Sequence, residues 1–203
     1  MSREERANGR AGELQRLNQD IVFRTKLRDS EFVFHSTWGL FSPRAIDVGT
    51  RLLIDRMIVN EGDTCLDLGC GYGPIGLVMA RMSKSGAVYL TDKDFVAVEY
   101  AERNALQNRL SNCNCLLSNG FEQLPDVRFD VIASNLPSNT GKELLQILLT
   151  EAHDRLEVGG RLYVVTVTGL RDVIKRTLRE LFGNAEKLKQ GRSHAVAAAI
   201  RER

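Results

Sequence analysis

Residues 65–76 read Cys-Leu-Asp-Leu-Gly-Cys-Gly-Tyr-Gly-Pro-Ile-Gly. A short apolar run, Thr64 to Leu68, ends in three glycines at alternate positions, Gly69, Gly71 and Gly73. A helical pattern follows at once, with Pro74 in the first turn, where a missing N–H costs nothing. A strand that breaks into a glycine-rich turn and then a helix is a nucleotide-cofactor device. The glycines allow positive φ and close approach of a ligand to the backbone. The helix N-terminus offers unpaired N–H groups.

Working outward, strands and helices alternate. Strands are expected at 64–68, 87–91, 114–117, 129–134 and 161–167, and helices at 74–82, 94–107, 141–156 and 170–181. Gly159-Gly160 is read as the stop of the third of these helices and Gly183 as the stop of the fourth. Two closing strands, 185–188 and 195–200, have no helix between them. This pattern predicts an α/β, doubly wound, Rossmann-like sheet, mostly parallel, with an antiparallel C-terminal hairpin strand. Residues 1–30 read as an N-terminal arm and 31–203 as one domain. Within it, 31–60 is an aromatic-rich segment with a helix near 48–58 that flanks the site.

Gly71-x-Gly73-x-x-Gly76 with Asp92 downstream also fits a dinucleotide fingerprint. Asp67 shifts the balance, because a carboxylate at the strand end would repel a pyrophosphate. It suits a ligand with no phosphate and a cationic end, such as S-adenosyl-L-methionine (AdoMet). Ligands of doubly wound sheets bind at the carboxyl ends of the strands. There the second strand offers Asp92 for ribose hydroxyls, or simply a turn acid. The third ends at Ser118-Asn119-Gly120, where an amide could meet adenine or merely form a turn. The fourth ends at Ser134-Asn135-Leu136-Pro137-Ser138. The Asn135 amide has an acceptor and donors with which to orient an amino group toward a methyl donor, and Pro137 stiffens the loop. Alternatively, both merely terminate the strand. Methyl transfer needs mainly positioning, so three scattered histidines, His35, His153 and His194, are read as structural.

The 203 residues and 43% hydrophobic content allow one domain with a real core. A net charge of +2 is too small to imply a nucleic-acid partner by itself. Residues 1–28 carry seven Arg or Lys against four acids, either a solvated arm or an RNA-contacting one. No membrane-spanning stretch, signal peptide or metal-ligand spacing stands out. Cys65, Cys70, Cys113 and Cys115 read as free thiols, so a cytoplasmic location is expected.

Three segments carry a family likeness: Gly39-Leu40-Phe41-Ser42 with Asp47-Val48-Gly49-Thr50, then Asp67 to Gly73, then Ser134-Asn135-Leu136-Pro137 with Gly141-Lys142-Glu143. On these, the chain resembles the class I AdoMet-dependent methyltransferases. More narrowly, it resembles the small-domain group that includes the 16S ribosomal RNA guanine-N2 methyltransferases and their single-domain archaeal relatives. The third segment departs from the family's Asn-Pro-Pro-aromatic motif, with Leu136 for the first proline and Ser138 for the aromatic. Asn119 stands where the family usually has an acid. The resemblance implies that Asp67, Gly69, Gly71 and Gly73 hold the methionine end of AdoMet, Asp92 the ribose and Asn119 the adenine. It implies that Asn135, Leu136 and Pro137 hold the target amine, with Phe41 and Thr50 flanking the site. The expected activity is methylation of a guanine N2 in ribosomal RNA. A protein amide, a small molecule, or a non-catalytic AdoMet- or RNA-binding role remain alternatives.

Overall fold

The computed structural model describes residues 20–137 and 141–203; the arm up to residue 19 and Ser138 lie outside the described residues. Strands are β1 (Ile21–Leu27), β2 (Ser30–Ser36), β3 (Cys65–Leu68), β4 (Val88–Asp92), β5 (Cys113–Leu117), β6 (Phe129–Asn135), β7 (Leu156–Val167), β8 (Glu186–Gln190) and β9 (His194–Ile200). Helices are α1 (Val48–Ile54), α2 (Pro74–Met82), α3 (Phe95–Gln107), α4 (Lys142–Arg155) and α5 (Arg171–Phe182).

Seven strands form one sheet in the order β5-β4-β3-β6-β7-β9-β8. β3 pairs in parallel with both β4 and β6, and β9 runs antiparallel between β7 and β8. The chain leaves β3 toward β4 and β5, then returns to β6 on the other side. The carboxyl ends of β3 and β6 therefore border the switch point where such sheets take their ligands. The doubly wound architecture and the antiparallel closing strand expected from the sequence are both present. One apolar cluster, including Leu77, Met79, Leu90 and Ala101, fills the face under α1, α2 and α3. A second, including Ile132, Leu149, Leu162 and Leu178, fills the face under α4 and α5. On α5 the buried Ile174, Thr177, Leu178 and Phe182 recur at helical spacing, and Gly183 ends the helix at φ +74°.

Two local expectations are corrected. Gly159 and Gly160 do not stop a helix: α4 ends at Arg155, and both glycines lie inside β7. The β6–β7 register shifts between Phe129 and Val131, and a Cβ on Gly160 would stand 2.8 Å from the Glu157 carbonyl oxygen. The pair accommodates an irregular strand start, a known use of strand glycines.

The second correction concerns residues 21–30, which the sequence places in the arm. They form the first half of an antiparallel hairpin, with Leu27 facing Ser30 across Arg28-Asp29. Leu27, Phe32 and Phe34 are fully buried in the first cluster. Two amides at the C-terminal end of α3, Asn104 within it and Asn108 capping it, hold this hairpin. Asn104 Oδ1 accepts from His35 N at 2.7 Å, while its Nδ2 donates to the carbonyls of His35 (2.8 Å) and Tyr72 (2.9 Å). One helical turn on, Asn108 accepts from Val33 N at 3.0 Å and donates to Val33 O at 2.8 Å.

Candidate active site

The turn after β3 is left-handed at Gly69 (φ +74°), Gly71 (+55°) and Gly73 (+94°), a path that side chains resist. Gly69 N and Cys70 N both donate to Thr91 O, at 2.8 and 2.9 Å, and tie the turn to β4. A Cβ on Gly69 or Gly71 would meet nothing within 4 Å, so these two leave an open cradle. Gly73 and Gly76 are glycine for another reason. A Cβ at Gly73 would lie 2.7 Å from Leu77 Cδ1, and one at Gly76 would lie 2.5 Å from Leu90 Cγ. They let α2 pack closely on the sheet.

Asp67 is fully buried beneath the turn. Its Oδ2 accepts from Gly76 N at 2.7 Å, so a carboxylate already caps the N-terminus of α2. Pro74 removes another donor there. This is the place where a dinucleotide fold receives pyrophosphate, and here a buried carboxyl oxygen already takes the Gly76 N–H. The dinucleotide alternative fails on that geometry. Burial pushes the Asp67 carboxyl up to about 7; the Gly76 N–H bond opposes the rise and nearby Asp92 adds to it. Asp67 Oδ1 is buried with no hydrogen-bond partner. An orphaned acceptor beside an open backbone cradle fits a ligand that brings a cation and no phosphate, as AdoMet does.

Asp92, at the end of β4, uses Oδ2 to accept from Gly71 N at 2.9 Å and Oδ1 to accept from Asp94 N at 3.0 Å. It shapes the turn, and the remaining lone pairs of its carboxylate stay open to hydroxyl donors. Asn119 follows β5 but is exposed, and its amide donates to Glu122 Oε1 at 3.0 Å within its own loop.

Across the switch point stands Asn135, the last residue of β6. Its Nδ2 donates to Thr50 Oγ1 at 2.8 Å and to Asp47 Oδ2 at 3.2 Å. A carboxylate only accepts, so Asp47 fixes which way the amide lies. Both N–H groups are spent, and Oδ1 remains for a ligand. Asp47 is itself fixed, since Oδ2 also accepts from Thr50 N as the N-cap of α1. Leu136 is buried in the second cluster, and its N–H donates to Val165 O at 3.0 Å. Its side chain is core, and only its backbone borders the site. Pro137 is exposed beside it. Ser134 hydroxyl donates to Leu68 O at 2.7 Å, stitching β6 to β3.

The structure thus brings Asp67, Gly69, Gly71 and Asp92 to one side of the switch point, and Thr50, Asn135, Leu136 and Pro137 to the other. Phe41 is 68% exposed, on the segment between β2 and α1. Asp47 and Tyr72 escaped assignment from the sequence. The Ser/Thr/Asp N-cap signature at Asp47 was visible, but its partner is 88 residues away. The buried Tyr72 hydroxyl donates to Ser42 O (3.1 Å) and Ala45 O (3.3 Å), joining the glycine turn to that segment. His153 packs edge-on against Phe182, remote from the switch point. Among the described residues, no group of three or more His, Cys, Asp or Glu could hold a metal ion, and no helix is long and apolar enough to cross a membrane.

The sheet order, the carboxylate-capped glycine turn and the oriented amide define a class I methyltransferase domain. The chain belongs to the methyltransferase small domain family, whose model matches residues 31–198. It is 32% identical over 178 residues to the uncharacterized protein YbxB of Bacillus subtilis, covering 86% of this chain and 88% of that one. It is 33% identical over 174 residues to ribosomal RNA small subunit methyltransferase C of Mannheimia succiniciproducens, covering 84% of this chain and 51% of that protein. Among solved structures it superposes on the T. thermophilus 16S rRNA N2 methyltransferase RsmC, in complex with AdoMet and guanosine. That match has a TM-score of 0.81 and 28% identity, over 90% of this chain and 50% of that one. The chain spans about half the length of these two ribosomal RNA methyltransferases. The expectation of an AdoMet-dependent methyltransferase, drawn from the sequence, is met by family and fold.

Proposed function

We propose that this enzyme transfers a methyl group from AdoMet to an amino nitrogen of RNA, the exocyclic N2 of a guanine in ribosomal RNA. The observation that carries the reading is the Asn135 amide, whose two N–H groups are engaged by Asp47 and Thr50. Its free Oδ1 is an acceptor aimed at a donor, and an exocyclic amine is such a donor. Asn135 Oδ1 accepts one amine N–H and holds the nitrogen lone pair in a fixed direction. The Leu136 N–H bond to Val165 O keeps that loop from shifting during the transfer. AdoMet supplies a methyl carbon made electrophilic by its sulfonium. Asp67 and the cradle of Gly69 and Gly71 hold the amino-acid end, and Asp92 takes the ribose. Alignment is what these residues supply, and a well-oriented pair can gain on the order of 7–11 kcal/mol over a random encounter. The relatives support the substrate class: one is named a ribosomal RNA methyltransferase, and the other is an N2 methyltransferase holding guanosine.

The test is transfer of tritiated methyl from AdoMet to naked ribosomal RNA, to small and large subunits, and to protein extract, followed by nucleoside digestion. Label in N2-methylguanosine is expected. Label confined to protein, or to another nucleoside, would refute the assignment.

A further inference from the structure

The segment between β2 and α1 carries an exposed group that the methyl-transfer site does not use. Trp38 is 41% exposed and Phe41 68% exposed. The Arg44 guanidinium carbon lies 4.1 Å above the centroid of the Trp38 ring. The segment is firmly held. Leu40 and Ile46 are buried, and Leu40 N donates to Thr37 O at 3.0 Å. Ser42, at φ +49°, donates its hydroxyl to Ala45 O at 2.7 Å. The Tyr72 hydroxyl binds the same stretch from the glycine turn. Water-exposed aromatic rings are thus presented on a fixed backbone.

Position and charge narrow what they present to. Arg44 precedes Asp47 by three residues, so its Cα lies within about 11 Å of the residue that orients Asn135. Among the described residues Arg44 forms no ion pair, and the stretch 37–46 contains no acid. An indole with a cation stacked on it suits a flat, π-faced group attached to an anionic backbone. Unpaired nucleobases are such groups, and they stack on aromatic rings and on arginine planes. Among the described residues the loop after β6 offers no such ring, because Leu136 is buried and Pro137 is aliphatic.

We propose that Trp38, with Arg44 stacked on it and Phe41 three residues on, is a stacking platform for a nucleobase of the single-stranded RNA flanking the target nucleotide. This rests on the RNA-substrate reading above. It adds that the substrate is unpaired around the target, and it assigns three residues to its grip.

Trp38 is the only tryptophan of the chain, so its fluorescence reports on the platform without labelling. The full-length protein, saturated with S-adenosylhomocysteine, is titrated with a fluorophore-tagged oligoribonucleotide, single-stranded or as a duplex. Anisotropy and tryptophan emission are read in parallel. Saturable quenching by the single strand, with the midpoint of the anisotropy curve, is expected, and the duplex should quench far less. Trp38→Ala should weaken single-strand binding roughly 5- to 150-fold, the range for loss of one base stack, and Trp38→Phe should recover most of it. Unchanged S-adenosylhomocysteine affinity in both variants would show that the fold is intact. Anisotropy binding with unaltered Trp38 emission, and a Trp38→Ala affinity equal to wild type, would overturn the platform and leave the RNA reading standing. No anisotropy change with any RNA would overturn both.

Discussion

AdoMet affinity should rise with pH across the neutral range, and Asp67 should be the cause. Its carboxyl is pushed up to about 7, chiefly by burial, with Oδ1 unpartnered. Only the ionised form attracts the ligand's ammonium, and the ionised fraction climbs from about 0.1 at pH 6.0 to about 0.8 at pH 7.5. The ligand's own amino group begins to titrate near the top of that window, so the net gain is about five- to eightfold, or ~1 kcal/mol. In the unliganded protein the same shift has the opposite sense. The native state holds a proton that the unfolded chain releases, so this group's contribution to stability falls as pH rises from about 4 through about 7. Calorimetric titration with AdoMet, S-adenosylhomocysteine and adenosine at four pH values checks the reasoning. The first two should gain affinity together, whereas adenosine, lacking the ammonium, should not. Asp67→Asn should bind weakly with no slope. A flat profile for AdoMet, or an unchanged slope in Asp67→Asn, would refute it.

Other outcomes follow from the same geometry. Asn135→Ala should lower kcat about 100-fold with AdoMet affinity unchanged, because positioning is lost and the cradle is not. Asp47→Asn keeps the N-cap but no longer dictates the orientation of the Asn135 amide. It should lower kcat with little change in thermal stability, as steady-state kinetics and a melting curve would show. Gly71→Ala projects a methyl into the open cradle and should weaken AdoMet binding more than folding. Gly76→Ala collides with Leu90 and should lower the melting temperature first. Asn104→Ala leaves three backbone groups of His35 and Tyr72 without their partner. Such a loss costs about 3 kcal/mol or more, a drop on the order of 10 °C by calorimetry.

The sequence was most legible where local rules act alone. The alternation from Cys65 onward and the glycines at 69, 71 and 73 state the sheet and the cradle, because strand, turn and helix N-terminus all fall within a dozen residues. Reading failed where the deciding contact is distant. The β1–β2 hairpin turns at Arg28-Asp29 without glycine or asparagine, and its edge is satisfied by amides some 70 residues away. Its Phe32-x-Phe34 alternation was present, but nothing nearby said what would cover it. Gly159-Gly160 looked like a helix stop because composition does not distinguish a C-cap from an irregular strand. The Asn135 amide was legible as a candidate, but its orientation depends on Asp47, which only the fold brings near. Asn119 and Phe41 occupy the expected loops, yet their side chains turn to Glu122 and to solvent.

Asn104 and Asn108 act as a borrowed strand, closing the edge of β2 with side chains in place of a backbone. One consequence concerns how the domain can be cut and transplanted. A fusion or minimal version starting after Ser36 would look complete, since the entire seven-stranded sheet and every glycine of the turn would remain. It would also open to water the apolar surface that Leu27, Phe32 and Phe34 cover, and leave Asn104 held only by the Tyr72 carbonyl of the cofactor turn and Asn108 only by the Asn104 carbonyl. The hairpin belongs to the enzyme's minimal unit, and shuffling experiments that respect the sheet but not these amides should yield protein that expresses poorly and binds its cofactor loosely.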